Sequence, residues 1–214
     1  MSILVERARR VEVGRSLKIL HVSDVHCATE NLVRVLRVED YDVVIASGDF
    51  ECVDTAEALA NAGSEVYAVT GNMDNPAVYR KLANMGVLVD GRVAVYEDLY
   101  IAGVGGLDFK GSLSKLQREL RELEARISIL VTHHPPKGIL DEPQPGLHIG
   151  LQEVAELAER LKPRLHLFGH VHEKPGHLGR GDTVYVNAGP LKKGYYAVIN
   201  MSAGVVVQLK QLPR

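Results

Sequence analysis

The stretch LKILHVSDVH, residues 17–26, runs a short aliphatic and β-branched segment straight into an Asp-x-His pair. LKILHVS (17–23) has the length and near-continuous hydrophobicity of a buried strand, and a helix-period segment follows near 28–39. The same alternation repeats outward along the chain. DVVIAS (42–47) precedes TAEALANA (55–62), and EVYAVT (65–70) precedes a helix that opens at Asn75-Pro76. Asn75 suits an N-cap, and Pro76 suits the first helical position. VAVYEDLYIAGV (93–104) reads as two strands joined at Glu97-Asp98, followed by a charged helix over 112–125 whose Leu113, Leu116, Leu120 and Leu123 face inward. ISILVT (127–132) is a strand, a Pro/Gly-rich loop spans Pro135 to Gly146, a helix covers 150–161, and LHLF (165–168) is a strand. After Gly169, TVYVN, YYAVIN and GVVVQLKQL predict an antiparallel finish on the same domain, with His177 in a Gly-rich turn. Strand–helix alternation of this kind predicts an α/β fold with a largely parallel sheet covered by helices, in one domain over 1–214.

Polar residues stand at five strand ends: Asp24-Val25-His26, Gly48-Asp49, Gly71-Asn72-Met73-Asp74, His133-His134-Pro135-Pro136 and Gly169-His170-Val171-His172. Ligand sites in open α/β sheets form beyond the carboxyl ends of strands. Asp, Asn and His are the residue types that hold hard-to-borderline divalent metals. Two-residue spacing in Asp24-x-His26 and His170-x-His172 puts both side chains of each pair on one side. Glycine before Asp49, Asn72 and His170 relieves crowding and permits sharp turns. Seven candidate ligands (Asp24, His26, Asp49, Asn72, His133, His170, His172) exceed the four that one tetrahedral zinc uses, and with Asp49 as a bridge they divide between two ions.

Composition narrows the remaining classes. The 214 residues carry 25 Lys+Arg against 27 Asp+Glu, so no basic field recommends a nucleic-acid partner. No apolar run approaches the roughly 20 residues needed to span a bilayer, and the opening MSILVERARR does not read as a secretory signal. Two cysteines cannot build a disulfide framework; Cys27 and Cys52 are expected to be small packed thiols in a reducing, cytoplasmic setting. Nine histidines are unevenly placed, seven of them between His133 and His177. His21 and His166 lie inside strands and are expected to be hydrogen-bonded core residues.

In order and context the five motifs resemble the calcineurin-like metallophosphoesterase family, whose pattern is D-x-H, G-D, G-N-H-[D/E], an isolated His after a strand, and G-H-x-H. The match runs from residue 24 to 172, and Asn187-Ala188-Gly189-Pro190 resembles the N-P-G segment that follows in many members. The resemblance implies a four-layer sandwich of two facing mixed β-sheets flanked by helices. It implies one metal on Asp24, His26 and His172, a second on Asn72, His133 and His170, and Asp49 between them. Two such divalent ions (Mn²⁺ favoured, with Fe, Zn²⁺ or Ni²⁺ compatible) polarise a phosphoryl group and generate hydroxide near neutral pH. The expected catalytic set is Asp24, Asp49, Asn72, Asp74 and His134, with Asp74 equally suited to capping the turn before Pro76. His148 is a further pocket candidate.

The sequence departs from that pattern at Met73, where the family usually has the His assigned to leaving-group protonation. A thioether is only a weak acceptor and cannot donate that proton. Members lacking this His include active phosphodiesterases and a retromer scaffold subunit with little or no activity. The expectation is therefore a phosphodiesterase acting on a small phosphate ester. The alternatives are a phosphomonoesterase or nucleotide pyrophosphatase, or a silent interaction module that keeps the fold. A homodimer is compatible with the sequence, which does not fix the oligomeric state.

Overall fold

The computed structural model describes residues 16–213; the reading of MSILVERARR falls outside them. The chain runs β1 (Leu17–Val22), α1 (Thr29–Val38), β2 (Val43–Ala46), α2 (Val53–Ala60), β3 (Glu65–Ala68) and α3 (Pro76–Asn84). Then come β4 (Val93–Tyr96), β5 (Leu99–Val104), α4 (Phe109–Glu122), β6 (Ile129–Thr132), α5 (Gln152–Leu161) and β7 (Leu165–Phe168). It closes with β8 (Gly176–Arg180), β9 (Thr183–Asn187), a 3-10 turn (Leu191–Lys193), β10 (Tyr195–Met201) and β11 (Val205–Gln211).

These strands form two mixed sheets, ordered β11-β10-β1-β2-β3 and β4-β5-β6-β7-β9-β8. Side-chain alternation decides how they stack. Leu17 and Ile19 of β1, with Val43 and Ile45 of β2, pack with Ile129, Val131, Leu165 and Leu167 of the other sheet. Their neighbours Leu20, Val22, Val44 and Ala46 point the opposite way, onto Leu32 and Val35 of α1, Leu59 of α2 and Val78 and Leu82 of α3. On the far side, Ala102, Leu130 and Phe168 meet Leu116 of α4 and Leu157 of α5. Burying such a side chain contributes about 1.5–3 kcal/mol, and strands buried on both faces lose the polar alternation of a half-exposed sheet. Four layers result: α1–α3, the two sheets, then α4 and α5.

Helix starts follow the expected chemistry at Asn75, whose side chain accepts from Ala77 N at 2.9 Å and Val78 N at 3.2 Å. On α4, Leu116 is fully buried, and Leu113, Leu120 and Leu123 are partly buried against the same core.

The carboxyl-terminal portion corrects two expectations. The last strands do not form one antiparallel unit: β9 runs parallel to β7 in the second sheet, whereas β10 and β11 return to pair antiparallel beside β1. The segment GHLGR, expected to be a turn around His177, is the edge strand β8, paired with β9 through the turn at Gly181. Two glycines and alternating polarity hid it. A third correction concerns the cysteines. Cys27 and Cys52 are joined in a disulfide with Cα atoms 5.2 Å apart, so they are not free thiols, and the argument for a reducing compartment loses its support. Parallel pairing of β1 with β2 brings their following loops together, which sequence spacing alone does not reveal. No helix among the described residues is long and apolar enough to cross a membrane.

Candidate metal centre

All five motifs converge because the carboxyl ends of β1, β2 and β3 in one sheet meet those of β6 and β7 in the other. Backbone hydrogen bonds lock the loops: Asp24 N donates to Gly48 O at 3.0 Å, His26 N to Asp49 O at 2.8 Å, and Gly169 N to His133 O at 3.1 Å. Asp24, His26, Asp49 and His170 all have positive φ, from 44° to 70°. Such conformations cost non-glycine residues on the order of 1–3 kcal/mol each and persist where surrounding structure imposes them, commonly at functional sites. Two glycines make the approach possible. A Cβ on Gly71 would lie 2.0 Å from Asp49 Oδ1, and one on Gly169 would lie 2.3 Å from Asp24 Oδ2.

Two overlapping groups have ligand atoms mutually within 4.8 Å: Asp24, His26 and His172, and Asp24, Asp49 and His133. In the first, His172 Nε2 lies 3.2 Å from His26 Nε2 and 3.3 Å from Asp24 Oδ1. In the second, His133 Nε2 lies 3.5 Å from Asp49 Oδ2 and 2.8 Å from Asn72 Oδ1. Asp49 Oδ2 is also 3.9 Å from His26 Nε2, so this oxygen stands between the two sets. His170 stands beside them, its ring centroid 5.0 Å from that of His133 and its backbone N–H donating to Asp24 at 3.1 Å.

The donor chemistry fits cations. His133 Nδ1 donates to Ser47 O at 2.8 Å, which leaves Nε2 as a lone pair pointing at the lone pairs of Asn72 Oδ1. His26 Nδ1 is likewise held by Glu51 Oε1 at 2.9 Å, turning its Nε2 lone pair inward. Orienting a ligating His through its other nitrogen is the usual support of a metal site. A cation between such facing acceptors removes their repulsion. Burial raises the Asp24 carboxyl, but hydrogen bonds from His172 and Ser23 outweigh it and hold the group below its ordinary value. Burial pushes Asp49 up, and the hydrogen bond from the Met73 N–H only partly offsets it. Burial lowers His170 to about 4, so the imidazole is neutral at pH 7 and free to ligate.

The other expected site residues take different places. Asp74 is buried with both oxygens occupied: Oδ1 accepts from Phe50 N and Glu51 N, and Oδ2 from Gly71 N, each at 2.7 Å. That geometry fits the turn-holding role expected as its alternative: the carboxylate pins the Asp49 and Asn72 loops together. His134 lies outside both ligand groups, wedged against His170 at 4.6 Å and Phe109 at 5.7 Å between ring centroids. Burial holds it at about 3. His148 is engaged by Asp141 at 2.8 Å and Glu142 at 3.1 Å, apart from the donor set. Met73 is 57% exposed, and only its backbone N–H serves the site, donating to Asp49 Oδ1 at 2.8 Å. Sequence reasoning missed Glu51, Ser23 and the Ser47 carbonyl. The available signal was their position one or two residues from a ligand motif.

Clustered Asp, His and Asn donors at the strand ends of this four-layer α/β sandwich form a candidate divalent-metal centre. The model of the calcineurin-like phosphoesterase superfamily domain matches residues 17–204, and the chain belongs to that family. It is 30% identical over 214 residues to a UPF0046 protein from Caenorhabditis elegans, covering 80% of this chain and 74% of that one. Among solved structures, a Thermus thermophilus protein superimposes with a TM-score of 0.72 at 20% identity, over 92% of this chain and 99% of that chain. A novel archaeal phosphodiesterase superimposes with a TM-score of 0.56 at 18% identity, over 91% and 100%.

Proposed function

We propose that this protein is a dinuclear-metal-dependent phosphodiesterase acting on a small phosphate ester. The observation that carries the reading is the position of Asp49 Oδ2, 3.5 Å from His133 Nε2 and 3.9 Å from His26 Nε2, where one oxygen can serve both donor sets. Asp24, His26 and His172 would hold one ion, and Asn72, His133 and His170 the other. When bound, two such divalent ions polarise the phosphoryl group and supply a nucleophile from water near neutral pH. Mn²⁺ is the favoured metal, with Fe, Zn²⁺ and Ni²⁺ compatible with mixed imidazole and carboxylate donors.

The chain's own residues set the preference between substrates. Ser23 and the His170 N–H orient Asp24, Ser47 orients His133, and Glu51 orients His26. At position 73 a methionine stands where a proton donor would assist a poor leaving group. Loss of one acid–base group typically costs on the order of 10²–10⁴ in rate, so diesters with activated leaving groups are favoured over alkyl monoesters. The archaeal phosphodiesterase of the same fold supports this choice. The test is hydrolysis of matched aryl diester and monoester substrates with added Mn²⁺. Faster diester turnover supports the reading, and a monoester preference replaces it with a phosphomonoesterase.

A further inference from the structure

The Cys27–Cys52 disulfide lies directly behind one side of the metal centre. Cys27 follows His26, and Cys52 follows Glu51, the residue whose carboxylate holds His26 Nδ1 at 2.9 Å. Besides that pair, the two loops are tied here by His26 N donating to Asp49 O at 2.8 Å and Cys27 N to Phe50 O at 3.1 Å. His26, Cys27 and Glu51 have φ of 44°, 61° and 61°, conformations that relax unless something holds them. Cys27 is exposed and Cys52 half-buried, so the disulfide lies at the protein surface. Among the described residues no disulfide stands behind His133, which is oriented by a backbone carbonyl of β2's following loop.

We propose that Glu51 is a positioning residue for His26 and that the disulfide holds the two in register, so that reduction weakens the Asp24–His26–His172 side while leaving the Asn72–His133 side in place. This rests on the metal-dependent reading above. The reductant is a dithiol. One thiolate attacks a cystine sulfur to form a mixed disulfide, and the second closes the reagent's own disulfide. Both cysteines are released as thiols, having gained two electrons and two protons. With the cross-link gone, the positive-φ loops can relax and His26 swings away from its ligating pose.

The test is Mn²⁺ titration by calorimetry, with Mn²⁺ spin–spin coupling read by electron paramagnetic resonance, on the intact chain. Oxidised protein is compared with protein reduced by dithiothreitol and desalted anaerobically, and with Cys27→Ser/Cys52→Ser, Glu51→Ala and Glu51→Gln. Oxidised protein is expected to bind two Mn²⁺ with a coupled spectrum. The reduced protein, the double-serine variant and Glu51→Ala should keep one site and bind at the other about 10–100-fold more weakly, the usual effect of losing an outer partner. Glu51→Gln, whose amide oxygen still accepts from Nδ1–H, should retain most of the affinity. Two unchanged sites after reduction, with two free thiols counted, would overturn the inference and leave the proposed function standing. Equal weakening of both sites, or two free thiols in the unreduced protein, would also overturn it. No Mn²⁺ binding by oxidised protein would overturn the inference and the functional reading together.

Discussion

His26 Nε2 and His172 Nε2 face each other at 3.2 Å, although the two rings come from the ends of strands in different sheets. Glu51 holds the other nitrogen of His26, so its inward atom is a lone pair. Two sheets packed through a shared apolar layer deliver these nitrogens to one point, with the Asp24 carboxylate 3.3 Å from the second. A cation there would be held by the His26 lone pair and the Asp24 carboxylate, with His172 Nε2 giving up to solvent the proton it donates to Asp24.

Binding of that cation should stabilise the fold. At a free Mn²⁺ concentration of 100 times Kd, linkage predicts about 2.7 kcal/mol per site. Urea denaturation with Mn²⁺, and again with excess EDTA, should show that gain and its reversal. Asp49→Asn should remove most of it, because its Oδ2 faces both donor sets.

Gly71→Ala should damage the centre without replacing a ligand. Its Cβ would lie 2.0 Å from Asp49 Oδ1 and 2.3 Å from Asp49 N, so the Asp49 loop must shift. Overpacking of this kind costs about 1–3 kcal/mol, and Mn²⁺ affinity should fall with it. Gly179→Ala, where the added carbon meets nothing within 4 Å, is the control and should stay within about 0.5 kcal/mol of wild type by urea denaturation.

The architecture was largely legible because its determinants are local. Near-continuous apolar runs such as VVIA, the Asn75-Pro76 start and the glycines before Asp49 and Asn72 each specify a short stretch of backbone. Side-chain donor atoms of six of the seven proposed ligands lie within 4 Å of another's, and His170 joins them through its backbone N–H to Asp24 and its ring beside His133. What stayed hidden depends on pairing at a distance. The disulfide needs β1 beside β2, the buried role of Asp74 needs three backbone amides from two loops, and β8 needs β9 to give its glycines a partner.

Met73→His should restore a proton donor beside Asn72. The side chain is 57% exposed, so the replacement meets little steric resistance. Steady-state hydrolysis of a diester with an alcohol leaving group should accelerate by about 10²-fold or more, the range of one acid–base group. An unchanged rate with full metal content would count against a missing acid as the limit on turnover.

The histidines of the core set an acid limit on stability. His21 Nε2 is 2.9 Å from Ser47 Oγ and His166 Nε2 is 2.9 Å from Thr132 Oγ1, and burial lowers both rings from 6.5 to about 3. Their folded pKa values are depressed, so each is neutral in the fold while the unfolded chain takes up a proton below pH 6.5. Stability is therefore insensitive to these groups above pH 7 and falls as pH drops from 6.5 towards 3. Each should cost about 2 kcal/mol at pH 5 relative to pH 7.5. Asp90, raised to about 6 by burial, acts in the opposite sense over the same range, which is why variants are needed. Urea denaturation of His21→Gln and His166→Gln at both pH values should show each losing about 2 kcal/mol less than wild type between them.

The most direct test of the central claim is the rate of aryl diester hydrolysis as Mn²⁺ is added stepwise to metal-free protein, with bound metal counted at each step. Turnover should be small at one equivalent, rise to its plateau at two, exceed that of the matched monoester, and vanish with EDTA. Two bound Mn²⁺ with no hydrolysis of either substrate would contradict it, and the fold would then be a metal-binding scaffold.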